Sequence, residues 1–391
     1  MISVSDALAQ LFDLAAPLEV ETVPLSSASG RVLAQTVHAN RDQPPFAASA
    51  MDGYAVRAQD VTPTSQLAVI GESAAGHGFS GTVQPGQAVR IFTGAPVPQG
   101  ATRVVIQEEV TRSDDTITLS DTLDSGMHIR SAGADFALGD AFTAPRRLSP
   151  SDIALLAAMN IATVPVIRKP RVAILSTGDE LVMPGETPGP DQIIASNSFG
   201  LQAMLRNLGA EPRLLPIARD TKASLELAFS LADDADLVLT IGGASVGDHD
   251  LVGEVAGDLG LDRKFYKIAM RPGKPLMAGR MKNGAMMIGL PGNPVSAMVC
   301  GQVFVAPVID AMLGLGCMPA QRQSAPLAAP IAANGPREHY MRAHIKDGQI
   351  TIFDRQDSSL LTVLYSANAL AIRPPNDPAH PAGTMLEYLP I

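Results

Sequence analysis

The stretch DLVLTIGGASVGDHD, at residues 236–250, indicates the fold most directly. Its first six residues are largely apolar, as in a strand that is covered on both faces of a sheet. A glycine- and aspartate-rich loop follows at once. RVAILS at 171–176 and AMMIGL at 285–290 have the same apolar character, and helical patterns separate these strands. This alternation predicts a doubly wound, mostly parallel α/β domain over residues 169–320.

The N-terminal part of the chain combines helical and β patterns. Helix-start signals occur at Ser3 and at Ser149, where a proline follows at the first helical position. Between them, short apolar runs alternate with Gly and Pro turns, which is typical of a β-rich unit. We therefore predict a β-rich domain at 31–144, inserted into an N-terminal domain that is made of residues 1–30 and 145–168.

The C-terminal segment, residues 321–391, shows no long helical pattern. YMRAHI, QITIF and ALAIR are short apolar stretches between turns, which favours a small C-terminal β-barrel. The predicted fold class is therefore α/β plus β, in a multidomain chain.

Composition narrows the function classes. The 391 residues include 29 basic and 39 acidic ones, giving a net charge of −10, and only 4% are aromatic. These values disfavour nucleic acid and anionic membranes as partners. No signal-peptide pattern and no uninterrupted run of 18 apolar residues is present, so we expect a cytoplasmic protein without a membrane segment. The histidines lack zinc-ligand spacing, and two cysteines cannot form a disulfide scaffold.

Four unusual loops follow strands of the predicted doubly wound sheet. They lie at residues 177–180, 242–250, 270–275 and 291–296. Ligands of such sheets bind outside the carboxyl ends of the strands. We therefore expect the four loops to meet at one edge and to form one pocket, and this is the central prediction from the sequence.

The loop at 242–250 favours a phosphate and a cation. Glycines let backbone N–H groups approach a phosphate, and a serine adds a donor. The residues concerned are Gly242, Gly243, Ser245 and Gly247. Asp248 and Asp250 add carboxylates that suit a cation such as Mg²⁺. The alternative is a flexible turn before a helix, with an aspartate as its N-cap.

A basic block lies at residues 263–282, which hold seven basic residues and no acidic one. Lys267, Arg271 and Lys274 could cradle an oxyanion, although a solvated charged face is the usual alternative. Ser296 could add an anion contact at the start of a helix, with an ordinary helix cap as the alternative.

Two further acidic residues have several possible roles. Glu180 ends the STGDE turn, and Asp220 precedes a predicted helix. Each could bind a cation, and Glu180 could also act as a general base. The alternatives are a solvated turn for Glu180 and a helix cap for Asp220.

These motifs also carry a family resemblance. SAMDGYAV (49–56), GGASVGDHD (242–250), RPGKP (271–275) and LPGNPVS (290–296) are its most specific parts. Together with seven further stretches, in order over almost the whole chain, they resemble the MoeA/gephyrin E-domain family, the molybdopterin molybdenumtransferases of molybdenum cofactor synthesis.

The resemblance implies a dimeric, Mg²⁺-dependent enzyme. Such an enzyme inserts molybdate into adenylylated molybdopterin, releases AMP and forms the molybdenum cofactor. The doubly wound domain would be of the kind found in the adenylyltransferase of the preceding step, which is a candidate partner. The cleft would lie between this domain in one subunit and the β-rich domain of the other, which would contribute Asp52, Thr93 and Asp135.

The resemblance also assigns roles to individual residues. Catalytic roles are implied for Asp52, Thr93, Asp135, Glu180, Asp220, Asp250, Lys267, Arg271 and Lys274. Contacts with the pterin substrate or molybdate are implied for Gly242, Gly243, Ser245, Gly247, Asp248, Pro272, Gly273, Pro291, Asn293, Ser296, Arg342 and Ser366. The implied Mg²⁺ ligands are Glu180, Asp220 and Asp250.

One departure and two alternatives accompany the resemblance. Many relatives have lysine where this chain has Arg271, and a planar guanidinium contacts an oxyanion differently from a point charge. The doubly wound domain could instead carry the adenylyltransferase reaction. A non-enzymatic scaffold is the other alternative, since relatives also serve as clustering proteins.

Overall fold

The computed structural model describes residues 1–243 and 251–391. The α-helices of these residues are α1 (Val4–Leu14), α2 (Pro150–Ala158), α3 (Asn197–Asn207), α4 (Lys222–Ser230), α5 (Leu251–Asp258), α6 (Pro294–Cys300), α7 (Ala306–Met312) and α8 (Leu361–Ser366). A π-helical turn joins α6 to α7, so that the two form one continuous helix.

The N-terminal part is built from short strands. They are β1 (Val20–Pro24), β2 (Val32–Leu33), β3 (Val37–His38), β4 (Ala48–Ser49), β5 (Gly53–Val56), β6 (Gln66–Ser73), β7 (Gln87–Ile91), β8 (Arg103–Ile106), β9 (Val110–Ser113), β10 (Thr116–Leu119), β11 (Ile129–Arg130), β12 (Ala141–Phe142), β13 (Arg146–Arg147) and β14 (Thr163–Ile167). They form a four-stranded sheet in the order β1-β14-β2-β13 and a six-stranded sheet in the order β8-β5-β7-β6-β10-β9, with two small two-stranded sheets.

Strand pairing brings together the segments on either side of the predicted insertion. β1 pairs antiparallel with β14 over its whole length, and β14 also pairs with β2. The six-stranded sheet lies between them in sequence. Both predicted capping boxes, at Ser3 and at Ser149, are present. The domain boundaries themselves stay predictions.

Helix α1 packs away from α2. Its buried face, which includes Leu8 and Leu11, belongs to the core of the doubly wound unit. Leu156 of α2 lies in a separate core with Leu33 and Val164. Helix α1 therefore packs in a different core from the one that covers α2 and the strands beside β1, and the grouping of residues 1–30 with 145–168 stays a prediction.

The doubly wound unit follows. Its strands are β15 (Arg171–Ser176), β16 (Leu181–Val182), β17 (Ile193–Ile194), β18 (Glu211–Leu214), β19 (Leu237–Ile241), β20 (Asp262–Tyr266), β21 (Met270–Arg271), β22 (Met277–Arg280) and β23 (Met286–Leu290). The main sheet has the order β18-β15-β19-β23-β22-β20, and the first four strands are parallel. Apolar cores cover both faces, as the sequence predicts for an α/β domain.

The directions of the strands place four loops at one edge. β15, β19 and β23 are parallel, so their carboxyl ends coincide. β22 is antiparallel to both β23 and β20, and β20 therefore runs in the same direction as β23. The segments that follow these four strands start at the same edge, as the central prediction requires.

The C-terminal unit is a β structure. Its strands are β24 (Gln323–Pro326), β25 (Glu338–Lys346), β26 (Gln349–Ile352), β27 (Ala369–Arg373) and β28 (Met385–Pro390). The strand path is β21-β25-β27-β28-β24, and β26 pairs with β25. A bridge between Leu327 and Ile350 connects the end of β24 to β26. The predicted barrel stays a prediction.

One helix is long and apolar enough to cross a membrane, among the residues that the structure describes. It spans Pro294–Met312, and 83% of its apolar window is buried inside the molecule. Its buried side chains belong to the core of the doubly wound unit. Such burial is typical of a core helix and disfavours a membrane span.

Candidate functional site

A cavity of about 830 Å³ opens at the carboxyl edge of the doubly wound sheet. Each of the four predicted loops contributes to the wall of this cavity. Residues 267–275, which we call the basic loop, do so through Pro275. The predicted site residues in its lining are Glu180, Asp220, Gly242, Gly243, Pro291 and Asn293. The structure therefore brings together side chains that are more than 100 residues apart in sequence, which sheet topology alone made predictable.

Gly242 forms a tight part of this wall. Its φ angle is +91°, a left-handed conformation that favours glycine. A Cβ atom at this position would lie 2.7 Å from the carbonyl oxygen of Thr177. The ends of β15 and β19 meet here, so a side chain would force them apart. Thr177 also lines the cavity, although it was not among the site residues predicted from the sequence.

The acidic part of the wall is formed by Glu180 and Asp220, both exposed. Thr221, not Asp220, caps α4, because its side chain accepts a hydrogen bond from the backbone N–H of Ser224. The helix-cap alternative for Asp220 is therefore wrong. The backbone N–H of Asp220 donates to the Asp179 carboxylate at 3.3 Å, which connects the two acidic segments.

Glu254 is a third carboxylate in the cavity lining that the sequence analysis missed. It lies in the first turn of α5. Acidic residues are common in first turns, where they stabilise the helix dipole. The sequence therefore offered no signal that separated Glu254 from an ordinary helix-start residue.

The carboxylates of the cavity wall are the candidate ligands for the implied Mg²⁺. Within residues 1–243 and 251–391, no three His, Cys, Asp or Glu side chains group closely enough to hold a metal ion. Mg²⁺ is usually bound by one or two carboxylates together with water and substrate phosphates. Glu180 and Asp220 meet that smaller requirement, so the residues present fit Mg²⁺.

Four predicted residues fall in the segment 244–250, outside the described residues. They are Ser245, Gly247, Asp248 and Asp250.

The basic loop belongs to two units at once. Its strand β21 pairs in parallel with β25 of the C-terminal unit, so that Arg271 lies beside His339. The backbone N–H of Ile268 donates to the carbonyl of Lys274 at 3.0 Å and closes the loop. Pro272 and Gly273 are buried, whereas Arg271 is exposed.

Arg342 is the most unusual side chain near this loop. It lies on β25 and is 0% exposed. Its Nη2 donates to the carbonyl of Asp357 at 3.0 Å, but Nε and Nη1 have no partner among the described residues. Burial and the charge of Arg271 lower the pKa of Arg342 to about 10. The guanidinium is therefore charged at neutral pH, and two of its buried donors remain available to an anion.

Two predicted serines lie at the same junction. The backbone N–H of Val295, at the start of α6, donates to the carbonyl of Ser358 at 3.1 Å, and Ser296 follows in a buried position. Helix α8, which carries Ser366, packs against both α6 and β25. We call Arg271, Ser296, Arg342 and Ser366 the junction cluster.

The two lysines of the basic loop do not line the cavity within the described residues. Lys267 has a φ angle of +79°, and its ammonium lies 5.0 Å from the centre of the Tyr266 ring. This distance permits a cation–π interaction. Lys274 is half-buried in the loop that β21 begins.

Two of the three predicted residues in the inserted unit are in contact. The Asp52 carboxylate accepts hydrogen bonds from the backbone N–H of Thr93 at 2.7 Å and from its hydroxyl at 2.8 Å. These bonds lower the pKa of Asp52. Asp135 is exposed and lies in a different segment of the inserted unit. Its backbone N–H donates to the carbonyl of Gln43. None of the three lines the cavity formed by this chain.

Comparison with protein families defines the class. The N-terminal region (domain I and II) of MoeA matches residues 2–160, a probable molybdopterin binding domain matches 173–311, and the C-terminal region (domain IV) of MoeA matches 324–391. These are the three parts of a MoeA-type protein.

Full-length relatives agree. A molybdopterin molybdenumtransferase of Nostoc sp. is 37% identical over 96% of this chain and 90% of its own length. That of Haemophilus influenzae is 39% identical over 80% of this chain and 78% of its own length. The chain belongs to the molybdopterin molybdenumtransferase family, whose members are enzymes of molybdenum cofactor biosynthesis.

A solved structure has the same architecture. The molybdopterin biosynthesis moeA protein of Pyrococcus horikoshii OT3 superposes with a TM-score of 0.85 at 28% identity, over 100% of both chains. The likeness covers all units described above, including the inserted β unit and the C-terminal unit.

Proposed function

We propose that this enzyme inserts molybdate into adenylylated molybdopterin, releases AMP and uses Mg²⁺. The observation that carries the proposal is the buried Arg342, with two guanidinium nitrogens that lack a partner among the described residues. A buried cation with free donors is costly unless an anion binds it. Molybdate is a tetrahedral dianion, and guanidinium groups contact oxyanions through paired N–H donors.

The junction cluster adjoins the cavity through one short segment. Asn293 and Pro294 line the cavity, and Ser296 lies two residues beyond Pro294 on the same helix. A molybdate held by Arg342 and Arg271 would therefore lie next to a substrate in the cavity. The cavity volume is in the range of sites that enclose an extended small molecule.

The glycine-rich wall suits the pyrophosphate of such a substrate. Gly242 and Gly243 have positive φ angles and no side chain that would keep a phosphate away. Catalysis by these residues would consist of positioning the two reactants and of electrostatic stabilisation by fixed donors.

Glu180 and Asp220 would hold the Mg²⁺. Bound there, the ion would neutralise pyrophosphate charge and polarise the adenylyl link toward cleavage. The two carboxylates would fix the position of the pyrophosphate relative to the junction cluster, because both belong to segments that the Asp179–Asp220 hydrogen bond connects.

We also propose a homodimer in which a second copy presents Asp52, Thr93 and Asp135 to this cavity. The support is that Asp52 and Thr93 form a preorganised pair in the inserted unit but lie outside the cavity of their own chain. The substrate would come from the adenylyltransferase reaction that precedes this step.

The proposal is tested by AMP release from adenylylated molybdopterin, measured with the purified full chain. AMP should appear with Mg²⁺ only when molybdate is added. Arg342→Met should lower the rate by about 10- to 100-fold, because charged hydrogen bonds contribute about 1.5–3 kcal/mol. Methionine fills a similar volume, so folding should survive.

Lys346→Ala is the matched control, since Lys346 is an exposed cation on the same strand. It should keep the wild-type rate. Wild-type activity in Arg342→Met would contradict the proposed oxyanion site. Consumption of ATP with unmodified molybdopterin, without any dependence on molybdate, would indicate the adenylyltransferase reaction instead.

A further inference from the structure

His339 is a buried histidine beside the junction cluster. It lies on β25 and is 6% exposed. Its Nε2 has no hydrogen-bond partner among the described residues. Strand register places it directly beside Arg271 on β21 and opposite Arg373 on β27. An imidazole in such a place requires an explanation, because unpaired buried polar groups are rare.

Among the residues that the structure describes, the charges that act most strongly on His339 are positive. They are the guanidinium groups of Arg271, Arg342, Arg337 and Arg373. Burial lowers the pKa of His339, these four charges lower it further, and together they bring it to about 4. The imidazole of this structure is therefore neutral at pH 7.

The carboxylates of this region have other partners. Asp377 pairs with Arg373 and with His380. Glu338 accepts a hydrogen bond from the Tyr340 hydroxyl at 2.7 Å. Asp357 accepts from Ser359. None of these carboxylates offsets the positive charge around His339, which agrees with the lowered pKa of this histidine.

We propose that His339 takes up a proton when a dianionic oxyanion binds at Arg271 and Arg342, which couples oxyanion binding to protonation of this residue. The inference rests on the proposed function, which assigns the oxyanion to these two arginines. They are also the two charges that act most strongly on the imidazole. Burial is the largest cause of the lowered pKa and remains after binding, but an anion that neutralises these two arginines removes the strongest charge repulsion acting on a protonated His339.

The sign of the coupling follows from linkage. The pKa is about 4 before the anion binds and rises toward its ordinary value of about 6.5 afterwards. The bound state therefore holds more protons between these values, so binding becomes tighter as the pH falls. Because His339 stays buried after binding, its pKa returns only in part, so about tenfold tighter binding of molybdate at pH 5.5 than at pH 7.5 is the upper limit of the effect.

The test is titration calorimetry of the full chain with sodium molybdate at pH 6.0, in two buffers of different ionisation enthalpy. The difference in heat gives the number of protons taken up. We expect up to about 0.8 proton for the wild type. His339→Gln should bind molybdate without this uptake. His344→Gln, a histidine five residues further along the same strand, should behave as the wild type.

Equal heats in the two buffers for the wild type would overturn the proposal, and so would uptake that persists in His339→Gln. If His339→Gln does not fold, NMR of ¹³C-histidine-labelled wild type decides. The chemical shift of the His339 Cε1 resonance is followed in a pH titration, and the midpoint pH of this titration must rise when molybdate is added. Failure of the wild type to bind molybdate would overturn both this proposal and the oxyanion site. Molybdate binding with proton uptake but without AMP release would contradict the proposed reaction alone.

Discussion

Gly273 shows how strictly a single residue of the basic loop is determined. Its φ angle is +109°, where L side chains are strained. A Cβ atom at this position would also overlap the sulfur of Cys300 on α6. Cys300 is fully buried, and burial raises the pKa of its thiol. This close contact therefore restricts the position of the basic loop relative to α6.

Gly273→Ala should lower the free energy of unfolding by about 2–4 kcal/mol, as the sum of backbone strain and overpacking. Gly284→Ala is the matched control, since Gly284 also has a positive φ angle but nothing lies within 4 Å of the added Cβ. It should cost only about 1–2 kcal/mol. Urea unfolding measures both, and equal losses would show that the contact with Cys300 does not matter.

The burial of individual polar side chains cannot be predicted from the sequence, and this limited the prediction of site residues. Arg342 came from the family resemblance, because no pattern in YMRAHI separates a buried arginine from an exposed one. His339 was missed for the same reason, whereas Glu254 was missed because acidic residues are common in the first turns of helices. Asp220 was interpreted as either a cap or a ligand; the hydroxyl of Thr221 caps α4 and excludes the first alternative, and the ligand role stays a prediction.

Helix α1 was predicted from the sequence, but the core against which it packs was not. Its helical spacing and its capping box predicted the helix itself. Its partner could not be predicted, since an apolar stripe does not specify which of several cores it will cover. Strands were predicted best where they are short and apolar: RVAILS and ALAIR match β15 and β27.

Leu11→Ala should lower the free energy of unfolding by about 2–5 kcal/mol, because Leu11 is fully buried in the core of the doubly wound unit. Hydrogen exchange should increase in β22, against which α1 packs. The inserted β unit should be unaffected. Leu227→Ala, at an exposed position on α4, is the control and should have little effect. Increased exchange confined to α2 would contradict this packing.

At the scale of the whole molecule, Arg168 connects the N-terminal unit to the doubly wound sheet. It follows β14 and donates to both oxygens of Asp236 at 2.6 and 2.7 Å and to Glu19 at 2.6 Å. Partial burial of Asp236 raises its pKa, but the bonds from Arg168 and from the backbone N–H of Arg171 outweigh this, so its pKa is lowered. A lowered pKa means that the ionised form stabilises the folded state.

Asp236→Asn should therefore lower the free energy of unfolding at pH 7 by about 2 kcal/mol, since Arg168 loses a partly buried partner. The difference in the free energy of unfolding between the variant and the wild type should shrink as the pH falls below about 4. In that range the pH passes through the lowered pKa of Asp236, and the wild-type side chain itself becomes neutral. Urea unfolding at pH 7 and pH 3 measures it. Asp234→Asn breaks an exposed pair with Arg213 and should have a small effect at both values. A difference that persists at low pH would exclude ionisation as its cause.

The pairing of β21 with β25 has a consequence for protein engineering. Residues 270–271 belong by sequence to the doubly wound unit and by hydrogen bonding to the C-terminal unit. A chimera that takes its C-terminal unit from a relative would combine one parent's basic loop with the other parent's strand. Transplants in this family should therefore carry the RPGKP segment together with the C-terminal unit, because the recipient's own loop would meet a foreign neighbour.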